Sequence, residues 1–427
     1  MNPPVRSHTL GDLLRRTAAR LPDKPAVRCG ATAWTYREFD AVVNRLANGL
    51  AAGRAGTPVR AGDRVAVLSR NSHAFAALRF ALARLGAVLV PINFMLNADE
   101  VAYILEHSAA RVLAVGPDMV ALGRDAAARG TAVEHLVWLE GEDPAEAPAG
   151  LPTFAALLAD DASAPAVELD ARMLAQIIYT SGTESLPKGA MLTHEAVCWE
   201  YVSCVIEGEI AQPDTLLHAL PLYHCAQLDV FLGPAIYVGA SSVITGKPTP
   251  DNILALLAAH RVDSFFAPPS IWIALLRSPA FGTTDLTALR KGYYGASIMP
   301  VAVLHEMAER LPAVRIFVHV TPAAGRRRGR VALMTGCVQH VLRPSITEAA
   351  IRVLAANGIE VVVPPDQGCC GALAHHAGAG ALGHEQAAAH AARFPADVDA
   401  IVATAAGCGS SMKATHTGGA PVRDLLE

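Results

Sequence analysis

Apolar and polar positions follow two different periods along the first part of the chain. Runs of apolar, β-prone residues at 64–69, 87–92 and 111–115 are typical of buried strands. Between such runs, apolar residues recur at helical spacing, as in residues 10–21 and 39–50. Strands and helices therefore alternate, which predicts an α/β fold with a largely parallel sheet covered by helices on both faces.

The alternation continues as far as residue 318. Asn71 and Ser72 are candidate N-caps for a helix that runs to Leu85. Other helices are expected over residues 99–106, 154–158, 194–205, 251–260, 269–276 and 301–310. Other strands are expected over residues 34–36, 262–267, 291–296 and 314–318. Residues 141–170 are rich in proline, alanine and acids, which indicates a surface connection.

A second alternating pattern occupies the last quarter of the chain. Strands are expected over residues 331–335, 359–363 and 399–404, with helices over 344–356 and 379–394. Residues 321–330 combine proline and glycine with four arginines, which is typical of a linker. The predicted organisation is a domain over residues 1–320, a linker over 321–330 and a smaller doubly wound domain over 331–427.

Composition narrows the range of partners. The chain has 427 residues, is 52% hydrophobic and has a formal net charge of −4. That charge gives no reason to expect nucleic acid or an anionic membrane as partner. Residues 1–16 contain no apolar signal-peptide core, and the longest uncharged run, 230–246, is interrupted by glycine and proline. We expect no membrane span and a cytoplasmic protein.

One polar loop after a buried strand carries candidate chemistry. Its candidate ligand-binding residues are Thr180, Ser181, Gly182, Thr183, Glu184, Ser185, Pro187, Lys188 and Gly189. Glycines let the backbone approach a ligand, hydroxyl and N–H groups can surround a polyanion, and Lys188 supplies a point charge. The order of residues does not fit a Walker A loop. The alternative is a polar turn that joins two strands.

This loop resembles the phosphate loop of adenylate-forming acyl-CoA synthetases, whose usual form is Thr-Ser-Gly-Thr-Thr-Gly-x-Pro-Lys-Gly. The chain departs from that form at Glu184 and Ser185. Glu184 would place a negative charge beside a triphosphate, so the resemblance implies a weakened nucleotide site. It covers residues 8–317 and is closest to the fatty-acyl branch.

Three other segments carry the same resemblance. Residues 91–93 match the end of a strand, and residues 220–224 match the segment whose histidine lies between the acyl tunnel and the nucleotide. His224 would be that catalytic-site histidine. Residues 294–297 resemble the turn that packs on adenine, which implies nucleotide contacts for Gly295, Ala296 and Ser297. The alternatives are a core histidine at 224 and an ordinary turn glycine at 295.

The resemblance implies ATP-dependent activation of a fatty acid or similar carboxylate, with ATP, Mg²⁺ and coenzyme A. In the family, a Tyr-Gly-x-Thr-Glu segment supplies a Mg²⁺-binding glutamate, but this chain reads Val-His-Val-Thr-Pro at 318–322. The ribose-binding aspartate and the lid domain with its catalytic lysine also have no counterpart. Lys413 lacks the sequence context of that lysine. We therefore expect adenylation to be impaired.

Four cysteines mark the second pattern. Cys337, Cys369, Cys370 and Cys408 each follow a predicted strand and adjoin glycine or another cysteine. Because the carboxyl ends of parallel strands meet at one edge of a sheet, we expect these thiols to converge there. Thiolate clusters suit iron–sulfur clusters or zinc.

Residues 329–413 resemble the cysteine-rich CCG domain of heterodisulfide-reductase-type proteins, most closely that of the glycolate oxidase iron–sulfur subunit. The resemblance implies an iron–sulfur cluster and flavoprotein subunits as partners. The usual final Cys-x-x-Cys is here Cys408-Gly-Ser-Ser411, so one ligand is absent. A CCG fold without a cluster is the alternative. His375 and His376 are either substitute ligands or surface residues.

Three hypotheses about function remain open. The chain is an acid–CoA ligase relative or a binder of ATP and fatty acid. Alternatively, it is an electron-transfer fragment of a 2-hydroxy-acid-oxidising, FAD-linked complex. The third hypothesis is a non-functional chimera, because each of the two modules breaks off where its family would continue.

Overall fold

A computed structural model describes residues 8–180, 186–295, 299–316, 320–321, 327–336, 344–364, 367–376, 378–415 and 419–425. The chain divides into two compact units, Met1–Tyr293 with Ala313–Arg315, and Tyr294–Pro312 with Ile316–Glu427. The domain and linker boundaries inferred from the sequence stay a prediction. No helix within the described ranges is long and apolar enough to cross a membrane.

Thirteen strands lie among the described residues up to residue 316. They are β1 (Pro25–Cys29), β2 (Thr32–Thr35), β3 (Arg64–Leu68), β4 (Val88–Pro91), β5 (Val112–Val115), β6 (His135–Trp138), β7 (Leu174–Thr180), β8 (Lys188–Thr193), β9 (Thr215–His218), β10 (Ser241–Ile244), β11 (Ser264–Ala267), β12 (Lys291–Tyr294) and β13 (Arg315–Ile316).

Twelve α-helices lie in the described part of the same stretch. They are α1 (Leu10–Arg20), α2 (Tyr36–Ala51), α3 (His73–Leu85), α4 (Ala98–Ser108), α5 (Val120–Ala127), α6 (Phe154–Leu157), α7 (His194–Glu207), α8 (Cys225–Gln227), α9 (Gly233–Val238), α10 (Pro250–Ala259), α11 (Pro269–Arg277) and α12 (Val301–Arg310). Short 3₁₀ helices span Pro117–Met119 and Pro279–Gly282, and a π-helical turn spans Leu228–Leu232.

The strands form two sheets, as the alternating pattern predicted. One has the order β6-β5-β3-β4-β7-β8, with parallel pairing except between β7 and β8. The other has the order β13-β12-β11-β9-β10-β1-β2, in which β1 and β2 are antiparallel. Every residue of α3 is buried. An all-buried helix fits a sheet architecture in which both faces are covered, so the predicted fold class is confirmed.

One short prediction near the start of the chain was wrong. Residues 34–36 were expected to form a strand, but the strand β2 ends at Thr35 and Tyr36 begins α2. The Thr35 hydroxyl accepts a hydrogen bond from the Glu38 N–H, and the Glu38 carboxylate accepts one from the Thr35 N–H at 2.8 Å. This capping box satisfies two backbone donors at the helix start and so favours the helix over a longer strand.

The second unit contains a smaller sheet with the order β14-β16-β15-β17-β18. Its strands are β14 (Val320–Thr321), β15 (Gly329–Met334), β16 (Ile359–Val362), β17 (Ala400–Ala403) and β18 (Val422–Asp424). Its later helices are α13 (Pro344–Ala356), α14 (Ala372–His376), α15 (Gly380–Ala391) and α16 (Ala406–Thr415).

The central strand of this sheet, β15, has a parallel neighbour on each side. Val331 is opposite Val361 of β16 and opposite Ala400 of β17. The chain leaves β15 toward β16 and then crosses to β17 on the other side, which is the doubly wound arrangement that the sequence predicted. The carboxyl ends of these strands therefore lie along one edge. The strand β18 was not predicted, because only three residues form it.

Candidate functional site

The predicted phosphate loop connects two antiparallel strands. Thr180, the last residue of β7, is opposite Lys188, the first residue of β8, and Tyr179 is opposite Gly189. The Lys188 side chain is exposed at the end of this hairpin. Five of the candidate ligands, residues 181–185, lie outside the described part of the chain. We call residues 174–193 the phosphate-loop hairpin.

The end of the hairpin is closely packed around a glycine. A Cβ atom at position 189 would lie 2.8 Å from Cγ2 of Ile177 and 3.1 Å from Cζ of Tyr179. Such distances are too short for a carbon contact, so the position requires glycine unless its neighbours move. The predicted role of Gly189 in letting the backbone approach a ligand therefore has a structural counterpart, because the ring of Tyr179 occupies the space beside it.

The helix α4 supports the hairpin from the side. The Tyr103 hydroxyl donates a hydrogen bond to the carbonyl oxygen of Pro187 at 3.3 Å. One turn later, His107 Nδ1 lies 2.7 Å from the Tyr179 hydroxyl. Burial raises the pKa of Tyr179, so its phenol stays protonated and can donate to the imidazole. The sequence analysis missed Tyr103 and His107; their spacing of four on a helix was the available signal.

His224 lies on the loop before α8 and acts as the N-cap of that short helix. Its Nδ1 accepts a hydrogen bond from the Ala226 N–H at 3.2 Å, and its side chain is exposed. A neutral imidazole that accepts at Nδ1 carries its proton on Nε2, so His224 presents an N–H donor. The alternative of a core histidine does not describe this exposed ring. Its role beside a nucleotide stays a prediction.

Asn71 supports the segment that leads to His224. Its side-chain nitrogen donates to the carbonyl oxygen of Leu220 at 2.6 Å, and its side-chain oxygen accepts from the Leu222 N–H at 2.7 Å. Ser72, the other candidate cap, makes the N-cap hydrogen bond to Phe75. The two adjacent polar residues thus divide two tasks that the sequence alone could not separate.

A buried ion pair lies between the hairpin and the His224 segment. Arg79 of α3 contacts Asp229 of the π-helical turn, with 3.2 Å between Nη2 and Oδ1. Gln176 of β7 donates to the other carboxylate oxygen of Asp229 at 2.7 Å. Burial raises the pKa of Asp229, and the Arg79 charge opposes that rise. These contacts join β7, which leads into the phosphate loop, to the chain that follows His224.

The carboxyl ends of β3 and β5 border a cleft of about 440 Å³ in the first unit. The strands β4 and β5 lie on opposite sides of β3, so the cleft is at a switch point of the sheet. Two ion pairs border it, Arg70–Asp118 at 2.9 Å and Lys247–Asp143 at 2.6 Å. The sequence analysis did not identify this cleft, because its walls come from loops far apart in the chain.

Comparison with known proteins adds a family to this geometry. The family model described as AMP-binding enzyme matches residues 14–320, which is most of the chain. The chain belongs to the AMP-binding enzyme family. The resemblance found in the phosphate loop and in the three other segments is thereby confirmed at the level of the family.

Individual relatives of this AMP-binding protein are CoA ligases by name. Feruloyl-CoA synthase of Amycolatopsis sp is 33% identical over 306 residues, which are 72% of this chain and 58% of that protein. Indoleacetate–CoA ligase of Aromatoleum aromaticum is 31% identical over 364 residues, 79% of this chain and 68% of the ligase. The N-terminal domain of FACL13 from Mycobacterium tuberculosis, solved with an inhibitor bound, has a TM-score of 0.65 and 28% identity and covers 74% of this chain and 76% of its own. This chain thus spans little more than half the length of feruloyl-CoA synthase.

The adenine-side prediction falls at the edge of the described residues. Gly295 directly follows β12 and is half-buried. Ala296 and Ser297 lie outside the described residues. Burial raises the pKa of the neighbouring Tyr294, so its phenol is neutral. The assignment of residues 295–297 to a nucleotide therefore stays a prediction.

A second family model, described as cysteine-rich domain, matches residues 331–413 of this AMP-binding protein. In the structure, Cys370 follows β16 and Cys408 lies in the first turn of α16, after β17. The Cys408 thiol donates a hydrogen bond to the Cys370 sulfur, which lowers the pKa of Cys370 to about 6. Two of the four predicted thiols are therefore together, as parallel strand ends require.

The remaining metal predictions are only partly covered. Cys337 lies outside the described residues, and Cys369 is half-buried beside Cys370. No group of three or more histidines, cysteines or acids suited to a metal ion occurs among the residues whose positions are described. The exposed His375 ring contacts the edge of His384, with 4.5 Å between ring centroids. The described thiols thus supply two of the ligands that an iron–sulfur cluster needs, and the cluster stays a prediction.

Proposed function

We propose that the first unit binds ATP and a carboxylic acid and belongs functionally with the acid–CoA ligases. The observation that carries this proposal is the phosphate-loop hairpin, in which Lys188 stands opposite Thr180 at the mouth of the loop. The match to the AMP-binding family over residues 14–320 supports it. Relatives named for feruloyl-CoA, indoleacetate and long-chain fatty acids share a carboxylic acid as substrate. We therefore take a fatty acid or similar carboxylate as the substrate class.

The proposed reaction has two steps. A carboxylate oxygen of the acid attacks the α-phosphorus of ATP, and pyrophosphate leaves with the electrons of the broken P–O bond. The thiol of coenzyme A then attacks the carbonyl carbon of the acyl-adenylate, loses its proton and displaces AMP. Lys188 would offset the negative charge of the phosphates, and the Nε2–H of His224 would donate toward the acyl-phosphate oxygens. Mg²⁺ would arrive with ATP.

We further propose that this chain adenylates poorly by itself. Between Glu309 and Glu348 there is no acidic residue that could take the place of the family's Mg²⁺-binding glutamate. Without that carboxylate, a metal ion on the phosphates loses one fixed oxygen ligand. ATP binding should therefore survive better than turnover.

Calorimetry and pyrophosphate exchange test the two parts separately. Lys188→Ala should weaken ATP binding by the full chain about 10- to 100-fold, as expected for loss of a charge-assisted contact. Arg172→Ala is the matched control, because Arg172 is an exposed cation just before the same hairpin. Equal ATP affinity in the parent and in Lys188→Ala would contradict the nucleotide site. Rapid ATP–pyrophosphate exchange with added fatty acid would contradict the impairment.

The contact between Cys370 and Cys408 favours a second candidate function, an iron–sulfur electron carrier in the second unit. Cys337, Cys369, Cys370 and Cys408 would hold the cluster, which would supply one-electron chemistry. Anaerobically purified protein should then contain iron and absorb visible light, and Cys370→Ser should lose both. A colourless, iron-free parent protein would refute this candidate and leave the ligase proposal unaffected.

A further inference from the structure

The thiol pair in the second unit joins two separate segments of chain. Cys370 belongs to the loop after β16, whereas Cys408 belongs to α16, which follows β17. The Cys408 thiol donates to the Cys370 sulfur. Both residues also belong to the core cluster that contains Met334 and Ile401. The sulfur atoms are thus side by side although 37 residues separate them in sequence.

The backbone on the Cys370 side has little freedom to move away. Gly371 has a φ of +75°, a left-handed conformation that favours glycine. A Cβ atom at Gly371 would lie 2.1 Å from the carbonyl oxygen of Gly383, so this turn packs directly on α15. The loop that carries Cys370 is therefore fixed against a neighbouring helix.

A hydrogen bond ties the same loop to the helix of the other cysteine. The Ser411 hydroxyl donates to the Cys370 carbonyl oxygen at 2.8 Å. Ser411 lies three residues after Cys408 on α16, which puts both side chains on one face of that helix. One face of α16 therefore holds both the backbone and the sulfur of Cys370.

The two sulfur atoms differ in access. Cys370 is 4% exposed, whereas Cys408 is half-buried. A small reagent therefore reaches Cys408 more readily, and Cys370 is positioned to react next from the interior. A half-buried thiol in contact with a buried one is the arrangement in which a mixed disulfide can be resolved within the chain.

We propose that Cys370 and Cys408 form a redox-active dithiol that reacts with small-molecule disulfides of the glutathione type. Cys408 attacks the disulfide, forms a mixed disulfide through its sulfur and releases one thiol. The Cys370 sulfur then attacks the Cys408 sulfur, breaks the mixed S–S bond and releases the second thiol. In total, the two cysteine thiols lose two hydrogens and two electrons, and the small disulfide gains them.

The test uses the full, metal-free chain and oxidised glutathione. Intact-mass measurement should show the loss of two hydrogens, and peptide mapping should find one cross-linked peptide that contains Cys370 and Cys408. Cys370→Ser should instead accumulate a stable glutathione adduct on Cys408. Cys408→Ser should lose the cross-link. The half-buried Cys204, in the first unit, supplies the matched control Cys204→Ser, which should react as the parent does.

A different cross-link would overturn the proposal. A disulfide between Cys369 and another cysteine, preserved in Cys408→Ser but lost in Cys369→Ser, would assign the chemistry elsewhere. Recovery of the parent with all its thiols after oxidation would also refute it. The peptide map needs neither ATP nor iron, so its outcome is independent of both candidate functions described above.

Discussion

In the first unit, buried side chains from distant helices and strands support the candidate site, whereas in the second unit the candidate residues follow the strands themselves. Arg79, Gln176 and Asp229 come from three separate elements and lie behind the phosphate-loop hairpin. Cys370 and Cys408 stand directly at strand ends and touch each other. The first arrangement depends on charge compensation in the core, and the second depends on sheet topology and a few backbone ties.

The largest expected effect concerns the buried ion pair. Arg79→Met should destabilise the first unit by about 3–5 kcal/mol, because it leaves the Asp229 carboxylate buried without its counter-charge. Urea unfolding that follows the tryptophans, all four of which belong to the first unit, measures this change. Arg172→Met removes an exposed arginine and should cause no measurable change.

The double variant Arg79→Met with Asp229→Leu sharpens this test. It removes both charges, so it should recover a large part of the lost stability. If Arg79→Met alone is as stable as the parent, the support behind the hairpin does not depend on charge compensation, and the contrast between the two units fails at that point.

A smaller effect is expected at the end of the hairpin. Gly189→Ala should cost about 1–3 kcal/mol, because the new methyl group would overlap Ile177 and Tyr179. Gly282→Ala is the control, since a Cβ atom there has no heavy atom within 4 Å outside its chain neighbours. Thermal unfolding of both variants gives the comparison. Equal stability of Gly189→Ala and Gly282→Ala would show that the packing around the hairpin yields easily.

The difference between the units also explains what sequence alone could predict. Each cysteine follows a predicted strand, and parallel strands end at a common edge, so the contact between Cys370 and Cys408 follows from local patterns. The partners Arg79 and Asp229 lie 150 residues apart, and no local pattern connects them. The alternation of strands and helices predicted the fold class. Side-chain support such as that from Asn71 depends on tertiary packing and could not be predicted.

The pH dependence of the first unit provides a third test. Burial lowers the pKa of His218 to about 3, while an unfolded histidine has a pKa of about 6.5. Between these values the unfolded state binds a proton that the folded state excludes. Stability should therefore fall as the pH drops below about 6.5, by about 1.4 kcal/mol per pH unit from this residue.

Two variants separate this titration from the hydrogen bonds of the same ring. His218→Gln should flatten the stability curve below pH 6.5, because the titrating group is gone. Ser242→Ala removes the hydroxyl that lies 3.0 Å from His218 Nε2 but keeps the imidazole. It should lower stability without changing the slope. An unchanged slope in His218→Gln would mean that the buried ring is not the source of the acid sensitivity.

The smallest effect is expected where the second unit ties its cysteines together. Ser411→Ala removes the 2.8 Å hydrogen bond to the Cys370 carbonyl and should cost about 1 kcal/mol, measured as a shift in the urea midpoint of the second unit. The exposed neighbour Ser410 gives the control Ser410→Ala, which should not shift the midpoint. Because topology still brings the strand ends together, the Cys370–Cys408 cross-link should form more slowly in Ser411→Ala but should not be abolished. Complete loss of the cross-link would mean that one side-chain tie, as in the first unit, rather than the sheet edge holds the thiols in contact.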